Sequence, residues 1–169
     1  MGNVWRADRP QRGRFRQFMQ CDIDILGEPT YLAEIELILA TTTLLGKLDF
    51  QNFTIRINNR KMLKGLAKYC GFPEESYDDV FIILDKMDKI EMSGVEAELL
   101  EAGYDKEAVE KCKNLFETVT NDLDGVRYMK ETLGDCLEEG VAEDLETIIQ
   151  TVEKVKAADF KIAFDPTLV

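Results

Sequence analysis

Val4-Trp5-Arg6-Ala7-Asp8-Arg9-Pro10-Gln11-Arg12-Gly13-Arg14-Phe15-Arg16-Gln17-Phe18-Met19-Gln20 packs five arginines into eleven residues, with a proline and a glycine between them. Pro10 and Gly13 interrupt regular structure, so the stretch predicts a hairpin: strands over Val4 to Asp8 and Phe15 to Leu26, joined by a loop over Arg9 to Arg14. In the second strand a period of two puts Met19, Cys21, Ile23 and Ile25 on one face. Arg14, Arg16, Phe18, Gln20, Asp22 and Asp24 fall on the other, which is too charged for a core. Such a face is either the solvated side of an antiparallel sheet or a site in which ring, amide and carboxylates line one pocket. Five arginines spread over strand, loop and strand favour the site.

The overall composition narrows the chemistry. The 169 residues hold 21 Lys and Arg against 33 Asp and Glu, a net charge of −12, and no histidine. No imidazole base, His-containing triad or His-ligated metal can be built from this chain. Residues 1–20 carry five arginines against Asp8 alone, a net of +4, which leaves −16 for the other 149. An acidic body with one dense arginine segment suits local capture of an anion such as phosphate better than general nucleic-acid affinity. Cys21, Cys70, Cys112 and Cys136 lie far apart without a C-x-x-C pair and read as reduced, mostly buried thiols of a cytoplasmic protein. The apolar run Leu37 to Leu45 is too short to span a bilayer, so no membrane partner is expected.

Periodicity organises residues 31–169. Tyr31 to Leu48 reads as a helix and Asn52 to Ile57 as a strand. Residues 59–136 offer helical segments at Arg60 to Cys70, Glu74 to Lys89, Ser93 to Glu101, Lys106 to Val119 and Gly125 to Leu133. An amphipathic helix through Val141, Leu145, Ile148, Val152 and Val155 and a strand through Phe160, Ile162 and Phe164 complete the chain. The expected architecture is α+β: sheet-forming parts at 1–58 and 137–169 around a helical module at 59–136. Met1 stands directly before a strand and Pro166-Thr167-Leu168-Val169 comes after one without a tail, so both ends read as cut from something longer.

The opening stretch resembles motif 2 of class II aminoacyl-tRNA synthetases in its histidyl-tRNA synthetase form, R-x-[DE]-R-P-Q-[RK]-G-R-[FY]-R-[QE]-F-x-Q. Gln20-Cys21-Asp22-Ile23-Asp24, Phe53-Thr54-Ile55-Arg56-Ile57-Asn58-Asn59-Arg60 and Phe164-Asp165-Pro166-Thr167-Leu168-Val169 resemble the same family. The resemblance implies part of a class II antiparallel catalytic sheet, interrupted by a mostly helical insertion, from the middle of a homodimeric enzyme that activates histidine with ATP and transfers it to tRNA(His). It implies Arg6 as the catalytic contact to the α-phosphate and the incoming carboxylate, with Asp8, Arg14 and Phe18 also holding ATP. Arg14 would meet the γ-phosphate and Phe18 would stack on adenine. Gln20 and Asp24 would hold histidine, and Arg9 and Gln11 would touch the tRNA acceptor end. Mg2+ would be held mainly through the ATP phosphates, with no metal site on the chain itself. The chemistry tolerates the missing histidine, because an ionised carboxylate attacking phosphorus needs electrostatic stabilisation and in-line positioning, not a general base. A segment holding half of such a site is expected to be inactive by itself.

The helical module gives a weaker signal. It carries 11 basic and 18 acidic side chains, so phosphates cannot be bound over its whole surface. Arg60, Lys61, Lys64 and Lys68, however, occur with no acid between Asp49 and Glu74, and Lys64 and Lys68 share a face. The resemblance implies an insertion lying over the tRNA acceptor stem, which makes these four the candidate tRNA contacts of the module, against the plainer reading of a solvated basic face. Asp85, Asp88, Glu91, Glu96 and Glu98 lack a ligand loop for a divalent ion and read as solvated. Two other function classes compete: a catalytically silent synthetase paralogue, and an acidic helical interaction module whose hairpin merely binds an anion.

Overall fold

A computed structural model describes residues 1–169. Strands β1 (Gly2–Trp5) and β2 (Gln17–Gln20) form the predicted hairpin, antiparallel, with Gly2 opposite Gln20 and Val4 opposite Phe18. Arg6 N donates to Arg16 O at 2.9 Å, one rung further toward the loop. The loop closes where Arg14 N donates to Gln11 O at 2.9 Å, and Gly13 sits at φ +81°, the left-handed position that such a turn gives to glycine.

Both strands are shorter than expected. The register that sets Gly2 against Gln20 leaves Cys21 to Leu26 with no neighbouring strand to bond, and these residues run as irregular backbone. Nor does any layer cover the apolar side: Met19 is 63% exposed and Ile23 55%. A strand needs both a ladder and a covered face, and here it has neither. Cys21 is accordingly exposed, unlike the buried Cys70 and Cys112.

Helix α1 (Leu32–Lys47) leads to β3 (Phe53–Ile57) and then into the helical body. Its members are α2 (Arg60–Cys70), α3 (Tyr77–Leu84), α4 (Met87–Glu101), α5 (Lys106–Thr118) and α6 (Leu123–Leu133), succeeded by α7 (Val141–Val155) and β4 (Phe160–Phe164). Caps explain the sharp starts. Asn59, Asp105 and Asp122 each accept backbone N–H groups from the first turn of α2, α5 and α6. The single helix expected over Glu74 to Lys89 is instead a 3-10 turn at Glu74–Ser76, then α3, with α4 starting at Met87 after a turn at Asp85 and Lys86. The break expected between Lys89 and Ser93 is present inside α4: Glu91, at φ +57° and ψ +175°, leaves the helical conformation and redirects the chain, and beyond it Val95 and Leu99 share a core with Val80, Phe81 and Leu84.

β3 and β4 pair in parallel, Phe53 opposite Phe160 and Ile57 opposite Phe164, so the antiparallel expectation holds for the hairpin and not for this pair. Parallel neighbours need a long crossover, and everything from α2 to α7 supplies one. The main core joins α2 to α6 with the first half of α7 and Phe164. A smaller cluster of Ile35, Ile148, Val152 and Phe160 seats α1 and α7 on the β3–β4 pair, where the Phe53 and Phe160 rings stack at 5.6 Å. No helix is long and apolar enough to cross a membrane.

Candidate functional site

Directly opposite residues of an antiparallel pair share a face. From Gly2–Gln20 toward the loop the register sets Val4 against Phe18, and the Arg6 N to Arg16 O bond continues it by one rung; beyond that the ladder ends and Arg14 pairs with Gln11 across the loop. Arg6, Phe18 and Gln20 therefore belong to one face of the hairpin, and Trp5 and Met19 to the other. Side-chain contacts obey this division. The Arg6 guanidinium lies over the Phe18 ring, its Cζ 5.3 Å from the centroid, and its Nη2 donates to Gln20 Oε1 at 3.4 Å. Gln20 Nε2 donates to Asp22 Oδ1 at 2.5 Å. Nearer the loop, Asp8 Oδ2 lies 3.8 Å from Arg14 Nε, and Asp8 O accepts from Arg16 Nε at 3.2 Å. Asp8 is half-buried and holds two arginines in place.

Arg9 and Gln11 are exposed around the tip of the loop. Asp24 lies past the end of β2 in irregular backbone, exposed, and is not drawn into the Arg6–Gln20–Asp22 row. Asp22 is the residue that sequence reasoning left without a role. Its signal was present in the spacing, two residues after Gln20 on the same alternating face.

The basic helix is organised separately. α2 turns Met62, Leu63, Leu66, Ala67 and Cys70 inward and leaves Arg60, Lys61, Lys64 and Lys68 exposed. Two of the four charges are already engaged: Lys61 Nζ meets Glu138 Oε1 at 2.5 Å, and Arg60 Nη2 meets Asp78 Oδ1 at 3.5 Å. Lys64 and Lys68 line an open cleft of about 420 Å³ with Lys61, Glu74, Tyr77 and Cys136. Burial, with the Glu74 carboxylate nearby, pushes the Tyr77 phenol up, so it remains a neutral hydroxyl near pH 7. The helix belongs to the helical body, whereas β1 and β2 pack chiefly on each other, so the lysines and the hairpin arginines lie on separate parts of the structure.

Arg56, on β3, takes a structural task from the fold. Its Nη1 donates to Asp165 Oδ2 at 2.8 Å and to Asp88 Oδ2 at 2.9 Å. It thereby ties β3 to the segment after β4 and to α4, and these two carboxylates raise its pKa, the Asp88 hydrogen bond most. Asp165 is 4% exposed, and a carboxylate so placed requires a partner. Its Oδ1 also accepts from Thr167 N and Oγ1. Among the acids read as solvated, Asp88, Glu96 and Glu98 are ion-paired, to Arg56, Lys113 and Lys86. Cys112 is held inert, its thiol pushed far up by the adjacent Cys70 and by burial.

A sequence profile of the histidyl-tRNA synthetase family matches residues 1–169. The chain is 36% identical over 167 residues to a histidine-tRNA ligase of Christiangramia forsetii, covering 98% of this chain and 36% of that one. Against a histidine-tRNA ligase of Leifsonia xyli it is 52% identical over 105 residues, covering 62% of this chain and 24% of the relative. The crystal structure of histidyl-tRNA synthetase from Nostoc sp. PCC 7120 matches the whole chain with a TM-score of 0.78 at 28% identity, over 40% of its own length. The chain thus spans well under half the length of these relatives.

Proposed function

Because the chain belongs to the histidyl-tRNA synthetase family, we propose that it carries the ATP- and histidine-contacting hairpin of a histidine-tRNA ligase together with the helical module that meets the tRNA. The observation that carries this reading is the hairpin that gathers Arg6, Phe18 and Gln20 on one face and pairs Arg14 with Asp8 beside its loop.

In the proposed reaction the histidine carboxylate attacks the α-phosphorus of ATP. The bond to the bridging oxygen breaks, pyrophosphate leaves, and histidyl-adenylate remains; a terminal hydroxyl of tRNA(His) then displaces AMP. Negative charge builds on the α-phosphate oxygens as the carboxylate arrives, and Arg6, a permanently charged planar fork, stabilises it there. Gln20 and Phe18 keep that fork from wandering. Arg14, steadied by Asp8, reaches the γ-phosphate, and the Phe18 ring stacks on adenine. The face offers arginines and not a cage of carboxylates, which fits Mg2+ held through the nucleotide's own phosphates.

Gln20 and Asp24 hold histidine, Arg9 and Gln11 meet the acceptor end, and Arg60, Lys61, Lys64 and Lys68 face the acceptor stem. The module at 59–136 acts as an insertion between the catalytic parts at 1–58 and 137–169. The complete enzyme works as a cytoplasmic homodimer, and residues 1–169 alone are inactive.

Histidine-dependent ATP–pyrophosphate exchange by the full-length protein carrying this segment tests the reading. Arg6→Ala lowers kcat by about 10²–10³, the effect of removing one preorganised charge donor, with a smaller change in KM. Exchange that survives Arg6→Ala, or strong exchange by residues 1–169 alone, overturns the corresponding assignment.

A further inference from the structure

The two ends of a side-chain amide have nearly the same shape and opposite hydrogen-bonding sense, so a glutamine in a binding site is only as selective as whatever fixes its flip. In the hairpin two groups fix it. A guanidinium can only donate, and Arg6 Nη2 donates to Gln20 Oε1 at 3.4 Å. A carboxylate can only accept, and Gln20 Nε2 donates to Asp22 Oδ1 at 2.5 Å. The reversed amide would set N–H against N–H at one end and oxygen against oxygen at the other. Of the two bonds the one to Asp22 is the shorter, so most of the constraint comes from the side that touches neither Arg6 nor Phe18.

We infer that Asp22 is a positioning residue for the amino-acid substrate: it fixes the orientation of the Gln20 amide, and through Gln20 it steadies the Arg6 guanidinium. This rests on the proposed role of Gln20 in holding histidine. With Asp22 in place, Gln20 keeps one Nε2 hydrogen and one Oε1 lone pair for a ligand, in known positions. Without it, the side chain samples several rotamers and both flips, and the ligand must select the competent one, which weakens apparent binding by the fraction lost. Asp22 is exposed and lies beyond the β2 ladder, so its replacement leaves the fold intact.

The test uses histidine-dependent ATP–pyrophosphate exchange by the full-length protein carrying this segment, comparing Asp22→Ala, Asp22→Asn, Gln20→Met and the Gln20→Met/Asp22→Ala double variant. Asp22→Ala raises KM for histidine by about 3- to 10-fold, the penalty for ordering one flexible side chain, and changes kcat less. Asp22→Asn recovers part of the loss, because its carbonyl also accepts. In the Gln20→Met background Asp22→Ala adds less than about twofold, since its only route of action is gone. An unchanged KM in Asp22→Ala overturns the inference, as does a full effect persisting without Gln20, which would place Asp22 in direct contact with substrate. Absence of histidine-dependent exchange in the unmodified protein overturns the ligase reading instead, so the two failures are distinct.

Discussion

Among the four basic residues on the outer face of α2, the ion pairs decide which can bind a phosphate. Lys61 is 2.5 Å from Glu138 and Arg60 is 3.5 Å from Asp78, so a phosphate must compete with a carboxylate for either. Lys64 and Lys68 stand exposed, one turn apart, on the same cleft. If this helix meets an acceptor stem, each free lysine that replaces a counterion adds about 0.9 to the slope of log affinity against log salt. At 0.15 M salt that slope amounts to about fivefold in affinity per contact, so Lys64→Ala/Lys68→Ala weakens binding by about 30-fold and lowers the slope by about 1.8. Lys61→Ala costs much less, and Glu138→Gln strengthens binding by up to about fivefold, because it frees a charge already in position. Fluorescence anisotropy with a labelled tRNA(His) acceptor-stem hairpin, titrated at 50, 100 and 200 mM KCl, reads all of these variants. A salt slope unchanged in the double variant, or a larger loss from Lys61→Ala than from Lys64→Ala, refutes the reasoning. An unrelated hairpin of equal length tells stem recognition from plain electrostatic capture.

Other consequences concern stability. Leu66 is fully buried on the inner face of α2, and Leu66→Ala removes its packing and leaves a cavity, for a loss of about 2–4 kcal/mol by urea denaturation with an unchanged m-value; a loss below about 1 kcal/mol contradicts the packing described. Asp122, whose pKa is lowered by hydrogen bonds from Thr120 and from the first-turn backbone of α6, contributes stability above its unfolded pKa and loses it as pH falls through the lower folded value. Asp122→Ala therefore costs about 1 kcal/mol near neutral pH, and the difference from the unmodified chain shrinks below about pH 4. Asp122→Asn, which can cap without titrating, removes that pH dependence while keeping most of the stability.

The helices were legible because their signals are local. Asn59 before Arg60, Asp105 before Lys106 and Gly71 after Cys70 mark ends that depend on a few neighbouring residues, and the structure places the α2 boundaries where the sequence reading does. The hairpin was legible for the same reason, since Pro10 and Gly13 fix the turn and alternation fixes which side chains share a face. Cys21 to Leu26 alternates as convincingly as any strand in the chain and is not one. Alternation reports only which residues could face a core, and a strand also needs a partner backbone within reach.

Composition and local pattern by themselves determined the acidic body, the arginine hairpin and most of the helices and strands, and the quoted motifs carried the family resemblance. Tertiary structure decided the relations that join distant residues. It made β3 and β4 parallel across a helical crossover, and it set Arg56 between Asp88 and Asp165. It assigned Glu138 to Lys61 while leaving Lys64 and Lys68 free, and linked Asp22 rather than Asp24 to Gln20. These are pairings between charges and strands that could have been made with many alternatives. Only the packing of the whole chain selects among them, because a hydrogen bond or ion pair depends on distances of a few ångströms that sequence separation does not encode.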